Sequence, residues 1–354
     1  MQSFVYESLP ARVVFGSGTV AQLKSEAERL GVRRALVLST PGRGEAQARE
    51  IASLMGNLGV GIHAGADMHT PVEATEQALQ VVQELGVDAV VAVGGGSATG
   101  LGKAIALRTD LPQIVLPTTY AGSEMTPILG ETRDGVKTTQ RTLKVLPEIV
   151  IYDVDLTLGL PPAAAATSGM NAIAHAVEAL YAKDSNPVIS LVAEEGIRSL
   201  AGALPRITED PHDSTARSDA LYGAWLCGTC LGAVGMALHH KLCHVLGGTF
   251  NLPHAETHTI VLPHAVAYNA PAAPEAMARV AKAVKAVDAA QGLFDVAGRL
   301  GTKQALRDIG MPEEGIEQAV RATLAAPYWN PRPLEEAALR GLLTDAWNGN
   351  PPQA

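Results

Sequence analysis

The sequence predicts an α/β domain built on a mostly parallel sheet, followed by an all-helical domain. Three observations predict this fold. Short apolar runs alternate with amphipathic stretches through residues 1–155, and a glycine-rich turn follows one of these runs. Beyond Asp155, strand-like runs nearly vanish and alanine-rich helical periodicity takes over. Strands of a parallel sheet are buried on both faces and are therefore continuously apolar. The predicted domains are residues 1–155 and 156–354.

The predicted elements follow that division. In the first domain, strands are predicted at Val13–Phe15, Ala35–Leu38, Val60–His63, Asp88–Val93, Gln113–Leu116 and Glu148–Tyr152. The amphipathic stretches between them include Thr19–Leu30, Gly44–Leu58 and Pro71–Leu85. In the second domain, apolar periodicity predicts helices near 162–182, 187–204, 213–232, 235–248, 260–268, 273–300, 303–309, 313–325 and 334–347.

Charge and composition exclude several classes of protein. The net charge is −9 and no basic stripe is present, which argues against a nucleic-acid partner because phosphate binding needs clustered Lys and Arg. No run reaches the roughly 18 apolar residues of a membrane span, and the N-terminus lacks the pattern of a secretory signal. Cys227, Cys230 and Cys243 are an odd count in a long chain, which favours a reducing compartment. We therefore expect a cytoplasmic protein without membrane contact.

A glycine-rich turn is predicted between a buried strand and a helix within Val90–Leu107. It consists of Gly94, Gly95, Gly96 and Ser97. Glycines let the backbone approach a pyrophosphate, and the free N–H groups at a helix N-terminus attract the anion. The turn is neither the standard Rossmann fingerprint nor a P-loop, and tight packing alone is the alternative explanation.

A second polar turn follows the next strand. It contains Thr118, Thr119 and Ser123. Ligands of open α/β sheets bind at the carboxyl ends of the strands, so the two turns together predict a nucleotide site. Ordinary helix capping is the alternative role for either threonine.

Six of the ten histidines lie between His239 and His264. His240 and His244 are four residues apart, and so are Asn171 and His175 upstream, so each pair projects from one face of a helix. Paired ligands of this kind build divalent-metal sites in helical domains. His254 follows Pro253 and is expected to fold back towards the same point. We expect His239, His258 and His264 to be structural or peripheral.

Together these segments resemble the iron-containing alcohol dehydrogenase family over nearly the whole chain. FGSGTV near residue 15, the GGGS turn, PTTYAGSE from Pro117, the Asn171–Glu178 helix and the histidine segment 240–254 occur in the family's order. The resemblance implies the fold shared with dehydroquinate synthase, oxidoreductase activity with NADH or NADPH, and a homodimer. We also expect Lys144 to bind the cofactor.

Two departures from the family's pattern concern its metal. The metal-dependent members carry an Asp at the position of Asn171, followed by histidines that match His175, His240 and His254. Asn is a neutral, weak ligand, so the charge that holds a dication is lost. Those members usually also have an Asp where Gly100 stands.

These departures, together with HTPVE at His69–Glu73, resemble one branch of the family. That branch reduces the carbon–carbon double bond of an unsaturated keto dicarboxylate in bacterial aromatic degradation and is considered not to need a metal. We therefore expect no metal.

The resemblance implies how the residues share this chemistry. Hydride addition to the alkene develops negative charge on the ketone oxygen, and a preorganised donor there stabilises the transition state. We expect His240, His244 and His254, with Lys241 nearby, to supply protonated donors in place of the cation. One of these histidines, or Tyr328, is expected to protonate the carbon.

Two further residues are predicted to meet the substrate. Arg332 is a candidate partner for a carboxylate, because a guanidinium matches it bidentately. Cys243 is expected to line the pocket and to confer sensitivity to thiol reagents, with a buried apolar role as the alternative. Lys241 has an exposed helical position as its alternative.

Cofactor choice and activity leave alternatives open. Ser39 and Thr40 stand where NAD-restricted relatives have an acidic residue that repels a 2′-phosphate, so NADPH is expected to be tolerated beside NADH. A metal-dependent alcohol or polyol dehydrogenase and a non-catalytic dinucleotide-binding protein are the competing interpretations.

Overall fold

A computed structural model describes residues 4–353, apart from the side chain of Lys137. The chain forms two compact units. One is Leu9–Leu160. The other runs from Pro161 to the C-terminus and includes the N-terminal segment that ends at Ser8.

The first unit is built on a six-stranded parallel sheet. Its strands are β1 (Arg12–Gly16), β2 (Ala35–Leu38), β3 (Gly59–His63), β4 (Ala89–Gly94), β5 (Gln113–Pro117) and β8 (Ile149–Asp153). Their order across the sheet is β1-β8-β5-β4-β2-β3. All six strands predicted from apolar runs are confirmed. The helices that alternate with them are α1 (Leu23–Arg29), α2 (Arg43–Met55), α3 (Val72–Leu85) and α4 (Gly96–Thr109). One buried apolar cluster lies on each face of the sheet, which explains the apolar runs.

An antiparallel hairpin in this unit was absent from the sequence prediction. Strands β6 (Ile128–Arg133) and β7 (Val136–Arg141) pair through a turn at Asp134 and Gly135. Both turn residues have positive φ, 50° and 75°. An Asp-Gly pair is a strong hairpin signal. Strand β6, however, is partly buried and mixes apolar with polar residues, and the described side chains of β7 are exposed and mostly polar, so neither strand has the apolar run that marked the other strands.

The second unit is helical. Its helices are α5 (Pro162–Tyr181), α6 (Pro187–Glu209), α7 (Ser214–Ala233), α8 (Leu238–Phe250), α9 (His254–Asn269), α10 (Pro274–Ala283), α11 (Ala289–Arg299), α12 (Gly315–Ala325) and α13 (Glu336–Asn348). Two predictions were wrong. The helix expected over 273–300 is two helices, because Asp288 caps α11 by accepting from the backbone N–H of Gln291. The stretch 303–309 contains only a short 3-10 turn, Leu306–Ile309.

Helix α5 is a deeply buried helix of this unit. From Gly169 to Tyr181 every residue is buried, and the helix packs against α6, α7 and α9. An apolar cluster joins α8 and α9 to α12 and α13. Within residues 4–353 no single helix is long and apolar enough to cross a membrane, although α7 and α8 meet that criterion as a pair bent by 94°.

Candidate active site

The glycine-rich turn joins β4 to α4, as the sequence predicted. Gly94 has a φ of 146°. A Cβ added at Gly95 would lie 2.9 Å from Thr119 Cγ2, whereas one added at Gly96 would meet nothing within 4 Å. No described side chain caps the first turn of α4, so its N–H groups are available to an anion.

The second turn lies against the first. The N–H of Thr118 donates to the carbonyl of Gly94 over 2.9 Å, and Thr119 packs on Gly95. Ser39 follows β2 and is fully buried, with a hydroxyl that has no hydrogen-bond partner among the described residues. Thr40 is partly buried beside it. The structure thus brings both threonines to the glycine turn.

Lys144 is not brought to this turn. Its Nζ lies 3.5 Å from Asp110 Oδ1, and Asp110 caps the C-terminal end of α4. The glycine turn is at the other end of this 14-residue helix, about 20 Å away at a rise of 1.5 Å per residue. Lys144 therefore does not help to form the glycine turn, and its expected contact with the cofactor stays a prediction.

Lys103 is a residue of this unit that the sequence prediction missed. It is fully buried on α4. Its Nζ donates to the carbonyls of Ser123, Thr126 and Ile128 at 2.6, 2.7 and 2.8 Å, and to Thr126 Oγ1 at 2.8 Å. Burial lowers the pKa of Lys103 to about 7. A lone lysine inside the apolar stretch GLGKAIAL was the available signal, and its role is to fix the loop that carries Ser123.

The predicted histidines of the helical unit do gather, on α5, α8 and α9. The ring centroids of His175 and His240 are 5.1 Å apart, and those of His240 and His244 are 6.2 Å apart. His254, at the start of α9, joins through His258, whose ring centroid is 4.3 Å from its own. His258 and His239 were expected to be structural or peripheral, yet both lie in this cluster.

Glu178 organises the cluster from α5, one turn beyond His175. The carboxylate is fully buried. Its Oε1 accepts from the backbone N–H of His239 at 2.7 Å. Its Oε2 accepts from the backbone N–H of Ala237 at 2.8 Å and pairs with His240 Nδ1 at 2.7 Å. Glu178 thereby caps the start of α8 and orients the imidazole of His240.

Several buried polar atoms of the cluster have no hydrogen-bond partner among the described residues. They are Asn171 Oδ1, His175 Nδ1, His239 Nδ1, His240 Nε2 and His258 Nε2. An unpaired buried polar atom costs about 1–3 kcal/mol. Their concentration in one place therefore indicates a site for a polar ligand.

Burial also fixes the charge of three rings. It lowers the pKa of His175, His239 and His258 well below the usual range, and neighbouring histidines lower it further. These rings are neutral at neutral pH. The protonated donors expected at His240, His244 and His254 remain a prediction.

Tyr328 lies beside His244. The Tyr328 hydroxyl and His244 Nδ1 are 3.0 Å apart, and Lys241 Nζ lies 5.6 Å from the centre of the tyrosine ring. Burial, and then the charge of Glu178, raise the pKa of Tyr328. Burial lowers the pKa of Lys241. The predicted proton donors are thus neighbours.

The two predicted substrate contacts have other partners. Arg332 donates to the carbonyl of Tyr268 at 2.9 Å and stacks over that ring at 4.4 Å. Cys243 is 1% exposed, with Sγ 3.7 Å from His239 Nε2. Burial raises the pKa of its thiol well above the usual range. The structure therefore supports the alternative role of Cys243, a buried apolar residue, rather than a reactive thiol.

The residues fit a divalent metal poorly. Asn171 is neutral, and Glu178 has both oxygens engaged, so neither supplies a free carboxylate. A second group, His239, Cys243 and His258, has donor atoms within 4.8 Å of one another. Two of those atoms are hydrogen-bonded to each other at 2.9 Å. Carboxylates are favoured ligands of hard dications, so these residues lack the charged ligand that would strengthen a site made of neutral imidazoles.

The chain belongs to the iron-containing alcohol dehydrogenase family, a class of nicotinamide-dependent oxidoreductases. The model described as iron-containing alcohol dehydrogenase matches residues 10–154. The model described as the C-terminal part of the Fe-containing alcohol dehydrogenase family matches residues 165–347. The resemblance drawn from the ordered motifs is confirmed, and so is the fold.

Its relatives at high identity include maleylacetate reductases. The one from Rhizobium sp. (strain MTP-10005) is 54% identical over 354 residues, 100% of both chains. The crystal structure of maleylacetate reductase from Agrobacterium tumefaciens has a TM-score of 0.96 at 55% identity, covering 99% of this chain and 100% of that one. A putative alcohol dehydrogenase from Ralstonia eutropha JMP134 has a TM-score of 0.98 at 59% identity, with full coverage of both.

Proposed function

We propose that the protein reduces the carbon–carbon double bond of maleylacetate with NADH or NADPH, giving 3-oxoadipate in bacterial degradation of aromatic compounds. One observation carries the proposal. The family's histidines remain clustered, but Asn171 stands where the metal-dependent members have a carboxylate ligand, and Glu178 accepts hydrogen bonds from backbone N–H groups at the start of α8. The maleylacetate reductases that share about half of this sequence support it.

The α/β unit offers the residues that would hold the cofactor. The uncapped N–H groups of α4 suit the pyrophosphate, and Thr118 and Thr119 lie against the same turn. The nicotinamide, when bound, supplies the hydride.

The helical unit offers the residues that would manage charge and protons. The substrate is a dianion, and reduction creates an enolate oxygen. Glu178 Oε2 lies 2.7 Å from His240 Nδ1 and orients the imidazole, and we expect Nε2, which has no partner among the described residues, to meet that oxygen. We expect Tyr328, which adjoins His244 and Lys241, to deliver the proton to carbon.

The test is the loss of NADH absorbance on addition of freshly prepared maleylacetate, with 3-oxoadipate identified as product. Turnover without added metal, retained after dialysis against a chelator, is the expected result. Normal NADH binding without turnover would favour a non-catalytic dinucleotide-binding protein instead. Stoichiometric bound metal whose removal abolishes activity would favour a metal-dependent alcohol dehydrogenase.

Cofactor choice and assembly belong to the proposal. Because Ser39 and Thr40 carry no charge to repel a 2′-phosphate, kcat/KM for NADPH is expected within about a hundredfold of that for NADH, a gap of roughly 3 kcal/mol. We also propose that the protein is a homodimer, which light scattering would check, and that it is located in the cytoplasm.

A further inference from the structure

His258 lies within the histidine cluster, although the sequence led us to expect a structural or peripheral role. Its side chain is fully buried on α9. Its ring centroid is 4.3 Å from that of His254, 5.0 Å from that of His240 and 6.4 Å from that of His175. One ring therefore adjoins imidazoles from α5, α8 and α9.

The two nitrogens of this ring differ in their partners. Nδ1 is hydrogen-bonded to His239 Nε2 at 2.9 Å. Nε2 is buried and has no hydrogen-bond partner among the described residues, like Asn171 Oδ1 and His240 Nε2 nearby. Because leaving buried polar atoms unpaired costs free energy, their convergence points to a ligand that pairs with them.

The bond between His239 and His258 sets what Nε2 can offer. In its neutral form each ring carries one N–H. If His239 Nε2–H donates to His258 Nδ1, the remaining nitrogen of His258 must carry its proton and is a donor. In the reverse arrangement that nitrogen presents a lone pair. An anionic ligand is attracted by the first arrangement and repelled by the second.

We propose that His258 is a substrate-binding residue whose Nε2–H donates to a carboxylate oxygen of the dicarboxylate substrate. His239 is the positioning residue that holds His258 in the donor tautomer. This inference rests on the proposed function, which supplies the anionic substrate.

Two substitutions separate the two nitrogens. His258→Asn keeps an amide at the level of Nδ1, facing His239, and removes the group at Nε2. His258→Gln places an amide nearer to Nε2. We expect His258→Asn to raise KM for maleylacetate about tenfold or more, the loss typical of a hydrogen bond to a charged group, and His258→Gln to recover part of it. The Kd for NADH should stay unchanged in both.

His264→Asn is the matched control. His264 is also buried on α9, and its Nε2 likewise lacks a hydrogen-bond partner among the described residues, but its ring lies near Phe294 rather than in the cluster. We expect the wild-type KM for this variant. Equal KM values for His258→Asn and His264→Asn would overturn the assignment.

A measurement on the wild-type protein does not depend on how variants fold. In protein labelled with ¹⁵N-histidine, ring nitrogen shifts distinguish N–H from a lone pair. We expect Nε2–H on His258, a shift of that signal on titration with 3-oxoadipate, and loss of the tautomer preference in His239→Phe. A proton on Nδ1, or no response to 3-oxoadipate, contradicts the inference.

The kinetic outcomes also separate this inference from the proposed function. If the wild type does not oxidise NADH with maleylacetate, the proposed function fails and the role of His258 fails with it. If the wild type turns over and His258→Asn keeps the wild-type KM, only the role of His258 fails.

Discussion

The hydroxyl of Thr70 occupies the space above Gly100, where an added Cβ would lie 2.3 Å from Thr70 Oγ1. His69 and Thr70 reach this place with φ values of 63° and 49°, an unfavourable conformation for a β-branched residue. The hairpin holds them there, since the N–H of Thr132 donates to the carbonyl of Thr70 at 3.2 Å. The position of Thr70, in the HTPVE motif, therefore requires a residue without a side chain at position 100.

Gly100→Ala is expected to weaken NADH binding, because the methyl group must displace either Thr70 or the helix that begins at the glycine turn. We expect the Kd for NADH, measured by fluorescence titration, to rise about tenfold, since overpacking typically costs 1–3 kcal/mol. Thr70→Gly in the same chain should restore most of the affinity. Gly341→Ala, at an open position on α13, serves as control, and a double variant no better than the single one would refute the coupling.

Glu178→Gln should damage both stability and activity. The amide replaces one acceptor oxygen with a donor, so it cannot accept from Ala237 and His239 while orienting His240. We expect a loss of about 3 kcal/mol or more in the free energy of unfolding, as for other broken buried charge pairs. We also expect kcat to fall about a hundredfold, in the range of a lost general acid–base contribution.

Urea denaturation and steady-state kinetics measure these two effects. Glu194→Gln is the control, because its ion pairs with Arg279 and Lys282 are on the surface and such pairs contribute little. Wild-type stability in Glu178→Gln would show that the carboxylate is not the organising group.

The sequence predicts elements well where a local pattern carries them. The six strands of the parallel sheet stand out because each is continuously apolar, whereas β6 and β7 lack such a run and were missed despite Asp134-Gly135. Motif order also indicated the histidines and the glycine turn. Pairings over long separations were not predictable: Glu178 meets His239 across 61 residues and Lys103 meets Thr126 across 23. Tyr268 binds Arg332 across 64 residues, which no spacing rule anticipates.

Asn171→Asp should create affinity for a metal. The change places a carboxylate one turn from His175, completing the ligand set of the metal-dependent relatives. We expect Zn²⁺ or Fe²⁺ to bind at least about tenfold more tightly than to the wild type, the scale on which ligand changes affect metal sites, and maleylacetate reduction to slow. Metal analysis and calorimetric titration measure the binding. Asn186→Asp, which preserves an N-cap on α6, controls for added charge, and equal metal content in both variants would count against this expectation.

Mild acid should destabilise the protein partly through His264. Burial lowers the pKa of this ring to about 4, partly opposed by Asp345, whereas an unfolded histidine titrates near 6.5. Between those values the unfolded state holds the proton and the folded state does not, so stability falls as the pH falls from about 6.5 towards 4. Between pH 7.5 and pH 5, the free energy of unfolding of His264→Phe should fall by about 2 kcal/mol less than that of the wild type. Urea denaturation at both pH values checks this, and parallel losses would exclude His264 as a contributor.

Thiol reagents should leave the native protein unmodified. Cys227, Cys230 and Cys243 are all buried, and burial raises the pKa of each thiol, so both access and thiolate are lacking. We expect no colour with Ellman's reagent until the protein is unfolded, and then three thiols. Rapid modification of the native enzyme with loss of activity would restore Cys243 as a pocket residue.

Lys103 has a consequence for how this chain tolerates length changes. Its ammonium is bonded to oxygens from Ser123 to Ile128, so the segment between β5 and the hairpin has a fixed path, and an insertion there would uncover a buried charge. The turn at Asp134 and Gly135 is exposed and carries no such tie. An epitope tag, a fluorescent label or an inserted peptide belongs at that turn, where the chain can lengthen without disturbing the nucleotide-binding loops.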